Sequence, residues 1–105
     1  MENRENLVLN KLKGLLLKKI GLNSLVLFGS RARGDADQYS DMDVLVVVDR
    51  LDKTIEDYIS DCAWEEGFEE GIVIVPIIFT KDEWEKGLER FSPVAQAIRS
   101  EGVFL

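Results

Sequence analysis

The sequence contains no histidine. That removes Ser-His-Asp and Cys-His catalysis and every imidazole metal site. A general base must then be a carboxylate, a lysine, a tyrosine or water. Cysteine is represented once, by Cys62, so no disulfide can form within the chain. That usage, without a signal-peptide pattern, sets the cytoplasm as the expected compartment. No apolar run approaches the roughly 20 residues of a membrane span, so no membrane association is expected. There are only two prolines, and no repeat, linker or low-complexity segment.

What remains is a chain of 105 residues, 46% hydrophobic, which suits one small globular domain over residues 1–105 with a core of its own. The net charge of −7 argues against bulk binding to a nucleic-acid backbone. It is unevenly spread. Residues 1–34 hold seven Lys and Arg against two Asp and Glu, and residues 35–105 hold six against eighteen. A basic first third beside an acidic remainder suits an anionic ligand held next to a cation. It equally suits ordinary solvated helix faces.

Hydrophobic spacing predicts the elements. Leu9, Leu12, Leu16 and Ile20 recur at three and four, which predicts a helix over residues 6–20 with Gly21 as its stop. Residues 25–28 read as a short strand, 29–40 as a polar loop and 43–48 as a second strand. The unbroken Val-Leu-Val-Val-Val run in that strand implies burial on both faces. A helix is expected over 51–66, ended by Gly67, with Asp57 and Asp61 on its exposed side. A third strand over 72–79 carries Pro76, so it belongs at a sheet edge or a bulge. Thr80-Lys-Asp-Glu83 has the form of a capping box for a helix to about residue 88. Ser92-Pro93 opens a last helix to about residue 100. Trp64 and Trp84 read as packing aromatics, Tyr39 as a cover over the core, and Cys62 as a packing residue.

The chemistry concentrates between the first two strands. Gly29-Ser30 follows a strand directly. Glycine lets a backbone approach a ligand closely, and a helical turn after it would present free N–H groups to an anion. Arg31 and Arg33 add guanidinium groups, whose geometry matches phosphate. No Gly-Lys-Ser/Thr follows, so this is not a P-loop. Asp41-Met42-Asp43 then puts two carboxylates on one face at the mouth of the second strand. Such a pair repels itself unless a cation or donor lies between, and Mg²⁺ favours carboxylates combined with substrate phosphates.

Taken together, "GSRARGDADQYSDMDVLVVVD" resembles the core motif of the DNA polymerase beta nucleotidyltransferase superfamily, and more closely that of the minimal nucleotidyltransferases, or MNT proteins. The resemblance is specific over residues 25–49. Elsewhere it rests on element order and chain length. It implies an α+β, two-layer α/β fold: a small mixed sheet of three to four strands with helices packed on one face. It implies that Gly29 and Ser30 bind the nucleotide phosphates, and that Arg31 and Arg33 belong to the same nucleotide-binding site, supporting the phosphates or the loop. Asp41 and Asp43 would be catalytic and bind Mg²⁺, or Mn²⁺ in its place. The implied reaction moves a nucleoside monophosphate, AMP from ATP, to a hydroxyl of an external acceptor. MNT proteins often resemble the antitoxin of a toxin–antitoxin pair whose other member is a HEPN protein, so a HEPN partner is implied as acceptor; self-association is left open.

The superfamily also supplies a third carboxylate from the next core strand, which helps hold metal and can act as base. The segment 71–80 contains none. Glu69 and Glu70, just before it, are the remote candidates. This departure leaves a second reading, a nucleotidyltransferase-fold module that acts by binding its partner. A drug-modifying transferase fits less well, because those enzymes resemble this core but carry a further domain.

Overall fold

A computed structural model describes residues 3–37, 40–87 and 91–105. Its elements run α1 (Asn3–Leu17), β1 (Leu22–Phe28), α2 (Ser30–Arg33), β2 (Met42–Val48), α3 (Lys53–Glu70), β3 (Ile74–Thr80), α4 (Lys81–Lys86), α5 (Pro93–Glu101) and β4 (Val103–Phe104). The sheet order is β3-β2-β1-β4. β1 is antiparallel to β2 and β4, and β2 is parallel to β3, so the expected mixed α+β sheet is present. Pro76 lies in β3, an edge strand, where its missing N–H costs no central ladder bond. No described helix is long and apolar enough to cross a membrane.

The boundaries differ from the sequence reading for local reasons. α1 starts and ends three residues early, and Ile20 packs against the core from beyond the helix end. α3 does not stop at Gly67. That glycine continues the helix where a Cβ would strike the Ile72 carbonyl at 2.4 Å, and Gly71, at φ 68°, makes the left-handed exit instead. The capping box at Thr80 and Glu83 and the serine cap at Ser92 are both formed. Leu88, the expected end of the fourth helix, and Tyr39 lie outside the described residues.

Strand alternation divides the core. Leu25, Leu27, Met42, Val44, Val46 and Val48 face α1 and α3, while Val26, Phe28, Leu45 and Val47 face Ile98 of α5 and Trp84 of α4. The long helices do pack on one face, as expected. The two short C-terminal ones cover part of the other, so β2 is buried on both sides. Trp84 packs as read, 5.6 Å from Phe79 and under the Arg99 guanidinium. Cys62 is buried. Trp64 differs: it is 68% exposed.

Between α1 and α3, Glu66 is only 5% exposed and its Oε1 has no hydrogen-bond partner. Burial pushes its pKa above the ordinary 4.5; Lys11 opposes the shift, while Glu69 and Glu70 add to it. A carboxylate raised in the fold opposes folding once ionised, so stability declines as pH rises from about 4.5 through the folded value and then levels. Glu66→Gln is expected to raise Tm by several degrees at neutral pH, the scale of about 1 kcal/mol in so small a domain. It should have no such effect at acid pH. Thermal unfolding across that range checks both.

Candidate functional site

The site forms where β1 leaves the sheet beside the entrance of β2. Phe28, the last residue of β1, lies opposite Asp43, and Val75 of β3 lies on the other side of Asp43. Alternation aims these three toward the α4/α5 face. Buried Met42 points the other way and anchors the strand mouth, its N–H donating to the Val73 carbonyl at 2.8 Å. Asp41 precedes β2 on the same side as Asp43. Asp41 is exposed and Asp43 half-buried.

Gly29 explains why this corner can close. Its φ of 78° and ψ of −159° belong to glycine, and a Cβ there would lie 2.5 Å from Asp43 Oδ2. The backbone therefore runs directly past the carboxylate. The next residues form the single turn α2, in which the Ala32 and Arg33 N–H groups donate to the Gly29 carbonyl, each at 3.1 Å. The N–H groups of Ser30 and Arg31 fall in the first turn, where helix geometry supplies no acceptor. Gly34 closes α2 at φ 83°.

Gly29→Ala should cost about 1–3 kcal/mol in backbone strain. It should also displace the Asp43 carboxylate, so nucleotide binding is expected to fall further than stability does. Urea unfolding beside nucleotide titration separates the two losses.

The two arginines take different parts. Arg31 is 6% exposed and turns inward. Its Nε and Nη2 donate to the Ser40 carbonyl at 3.0 and 2.8 Å, and its Nη1 donates to Glu5 Oε1 at 3.1 Å. The structure thus uses Arg31 to pin the loop ahead of Asp41 against α1, the second of the two parts, phosphates or loop, that the resemblance implied for it. Arg33 stays on the surface. Its Nη1 meets both Glu101 carboxylate oxygens at 3.1 and 3.2 Å, and its Nε meets Asp35 at 3.2 Å. Its charge reaches Asp43, where it lowers a pKa that burial and the Asp41 charge raise.

Glu5 and Glu101 were missed by sequence reasoning. They lie 26 and 68 residues from the arginines they hold, beyond any local pattern. Glu69 and Glu70 end α3 on the opposite face of the sheet, with Glu70 paired to Lys11 at 3.5 Å. Among the described residues no group of three or more carboxylate or cysteine side chains is placed to hold a metal. Val75 occupies the place beside Asp43 on the neighbouring strand.

Known proteins resemble the chain in both sequence and fold. A curated relative from Methanocaldococcus jannaschii, provisionally named a protein adenylyltransferase, is 32% identical over 107 aligned positions, covering 74% of this chain and 73% of that protein. A solved toxin–antitoxin complex with AMP-PNP contains a chain that superposes with a TM-score of 0.65 at 21% identity, over 98% of this chain and 72% of that one. A structure of the tri-AMPylated Shewanella oneidensis HEPN toxin with its MNT antitoxin gives 0.59 at 22% identity, over 95% and 70%. The family model for the nucleotidyltransferase domain matches residues 9–104. By that match and the curated relative together, the chain belongs to the nucleotidyltransferase domain family.

Proposed function

We propose that this nucleotidyltransferase domain transfers AMP from ATP to a hydroxyl of a HEPN partner protein, with Asp41 and Asp43 holding Mg²⁺. The observation that carries the reading is the contact of Gly29 with Asp43: a Cβ at Gly29 would meet Asp43 Oδ2 at 2.5 Å. It brings the Gly29-Ser30 backbone and the carboxylate pair to one point. Triphosphate oxygens and a divalent cation share such a point readily. The residues fit the ion: burial and then the Asp41 charge raise the Asp43 pKa, and a cation between the two carboxylates would relieve that repulsion.

Gly29 and Ser30 bind the phosphates through backbone N–H and hydroxyl groups, and Arg33 supplies fixed positive charge at the rim. Bound Mg²⁺ would neutralise charge developing on the phosphates. The acceptor oxygen forms its bond to the α-phosphorus, the bond to the β-phosphate oxygen breaks, and pyrophosphate leaves with the electron pair. The hydroxyl proton passes to solvent. The curated relative's name and the AMP-PNP and tri-AMPylated complexes support AMP and a HEPN protein as the transferred group and the acceptor.

A second reading is a module that binds nucleotide and partner with little turnover. Val75 beside Asp43, where a further carboxylate would complete the set, favours it. A missing base typically costs about 10²–10⁴-fold in rate. The test is incubation with α-labelled ATP, Mg²⁺ and the HEPN protein of the same genome. A labelled HEPN band supports transfer, and binding without label supports the second reading.

A further inference from the structure

Glu101 is the last residue of α5, and it reaches Arg33 across 68 positions of sequence. Its place is an awkward one for an anion. A helix C-terminus carries partial negative charge, so a glutamate there opposes the helix dipole. The ion pair it gains is open to solvent, with the Arg33 side chain 47% exposed and that of Glu101 22% exposed, and such pairs contribute little to stability. Stability is therefore a poor account of Glu101, and its surroundings offer a better one.

Packing fixes the end of α5. Ile98 is fully buried against Val26, Phe28, Leu45 and Val47 of the sheet. Gly102 caps the helix where a Cβ would strike the Ile98 carbonyl and lie 2.7 Å from Val26 Cγ1, so a glycine lets α5 lie this close to β1. β4 then pairs with β1, Val103 opposite Leu27 and Phe104 opposite Val26, and the Leu105 N–H donates to the Leu25 carbonyl at 2.9 Å. Glu101 is thus held beside the strand that leads into Gly29.

Arg33 comes to the same point from α2. Its backbone N–H donates to the Gly29 carbonyl at 3.1 Å, one turn from the glycine that runs past Asp43. Its Nη1 donates to both Glu101 oxygens at 3.1 and 3.2 Å, and its Nε to Asp35 at 3.2 Å. Asp35 is exposed and two residues away, so it ties the side chain to its own loop; Glu101 ties it to the sheet. Among the described residues Nη2 has no partner. A guanidinium gripped at two nitrogens keeps the third for another acceptor, and phosphate oxygens suit it. Arginine also carries much rotamer entropy, which a clamp removes before a ligand arrives. The Arg33 charge acts on Asp43 as well.

We propose that Glu101 is a positioning residue for the nucleotide: it clamps the Arg33 guanidinium so that the free Nη2 edge meets a triphosphate oxygen. The inference rests on the proposed nucleotide site at Gly29, Ser30, Asp41 and Asp43. It makes the end of α5 and β4 part of that site.

The test titrates AMP-PNP with Mg²⁺ into the full chain by calorimetry, beside thermal unfolding of each variant. Arg33→Ala should weaken binding by about tenfold, the scale of a charge-assisted hydrogen bond. Glu101→Ala should weaken it by about fivefold, since the guanidinium must then be ordered by the ligand, and should melt at or slightly above the wild-type temperature. Glu101→Gln, which keeps the length and removes the charge, should follow the same pattern. Arg33→Ala/Glu101→Ala should bind no more weakly than Arg33→Ala, because Glu101 acts only through that side chain. Binding by Glu101→Ala as tight as wild type would overturn the positioning role, and tighter binding would overturn it by making Glu101 a competitor of the phosphates. A double variant weakened by the product of the two single factors would overturn it too, as would Glu101 variants that melt several degrees lower yet keep their affinity. No binding by wild type would instead overturn the nucleotide site itself, so the two failures are distinct.

Discussion

The Asp41→Asn/Asp43→Asn variant is expected to lose transfer of labelled nucleotide to its acceptor by about a thousandfold or more, the scale of several kcal/mol of transition-state charge stabilisation. Asparagine keeps the shape of each side chain and removes both charges, so a cation loses the ligands that distinguish this corner. Stability should move the other way. Asp43 sits between Phe28 and Val75, and burial first, then the Asp41 charge, raises its pKa; Arg33 only partly opposes them. With the folded value above the ordinary 3.8, ionised Asp43 opposes folding. The penalty appears as pH rises through that value and persists at neutral pH. The inactive variant should therefore melt at or above the wild-type temperature without metal, and Mg²⁺ with nucleotide should stabilise only the wild type. Paired label-transfer and melting curves check this. A variant that keeps its transfer rate would remove both aspartates from the site, and one that loses activity by unfolding would leave their role undecided by rate alone. The melting curve distinguishes these cases.

Arg31→Met should destabilise the fold by about 3–5 kcal/mol, because it takes the guanidinium away from the buried Glu5 carboxylate. Glu5 and Arg31 are 5% and 6% exposed, and Arg31 also holds the Ser40 carbonyl through two donors. Against a total stability of about 5–15 kcal/mol, such a loss brings a small domain near unfolding. Glu5→Leu/Arg31→Met should recover much of it, since apolar pairs often replace buried ion pairs without loss. The Ser40 carbonyl loses both Arg31 donors in that variant. The loop entering Asp41 is then loosened, and nucleotide affinity should remain low although the protein folds. Urea unfolding of the two variants, with nucleotide titration of the folded one, separates the roles. An Arg31→Met protein within 1 kcal/mol of wild type would show that the ion pair does not hold the loop.

What is local in this protein can be read from its amino-acid order. Apolar runs and cap residues are read by neighbours within four positions, so β2, the Thr80 capping box and the Ser92 cap were legible. That Gly29-Ser30 and Asp41-Asp43 would be neighbours was legible because they sit at a strand end and a strand start that flank one loop. The rest depends on how distant elements pack. Arg31 and Arg33 look alike in sequence, yet one meets Glu5 of α1 and the other Glu101 of α5, contacts that exist only once distant elements pack. Gly67 looked like a stop, and the close approach of the Ile72 carbonyl makes it a packing residue instead. Trp64 was read as a packing aromatic near a helix end. Its place in the helix was right, but which side of α3 meets the sheet depends on α1 and β3 together, and they leave the ring beside Phe68 in solvent. Local chemistry sets where a chain turns, and burial by remote elements sets which of two similar side chains is pinned inside and which stays at the surface.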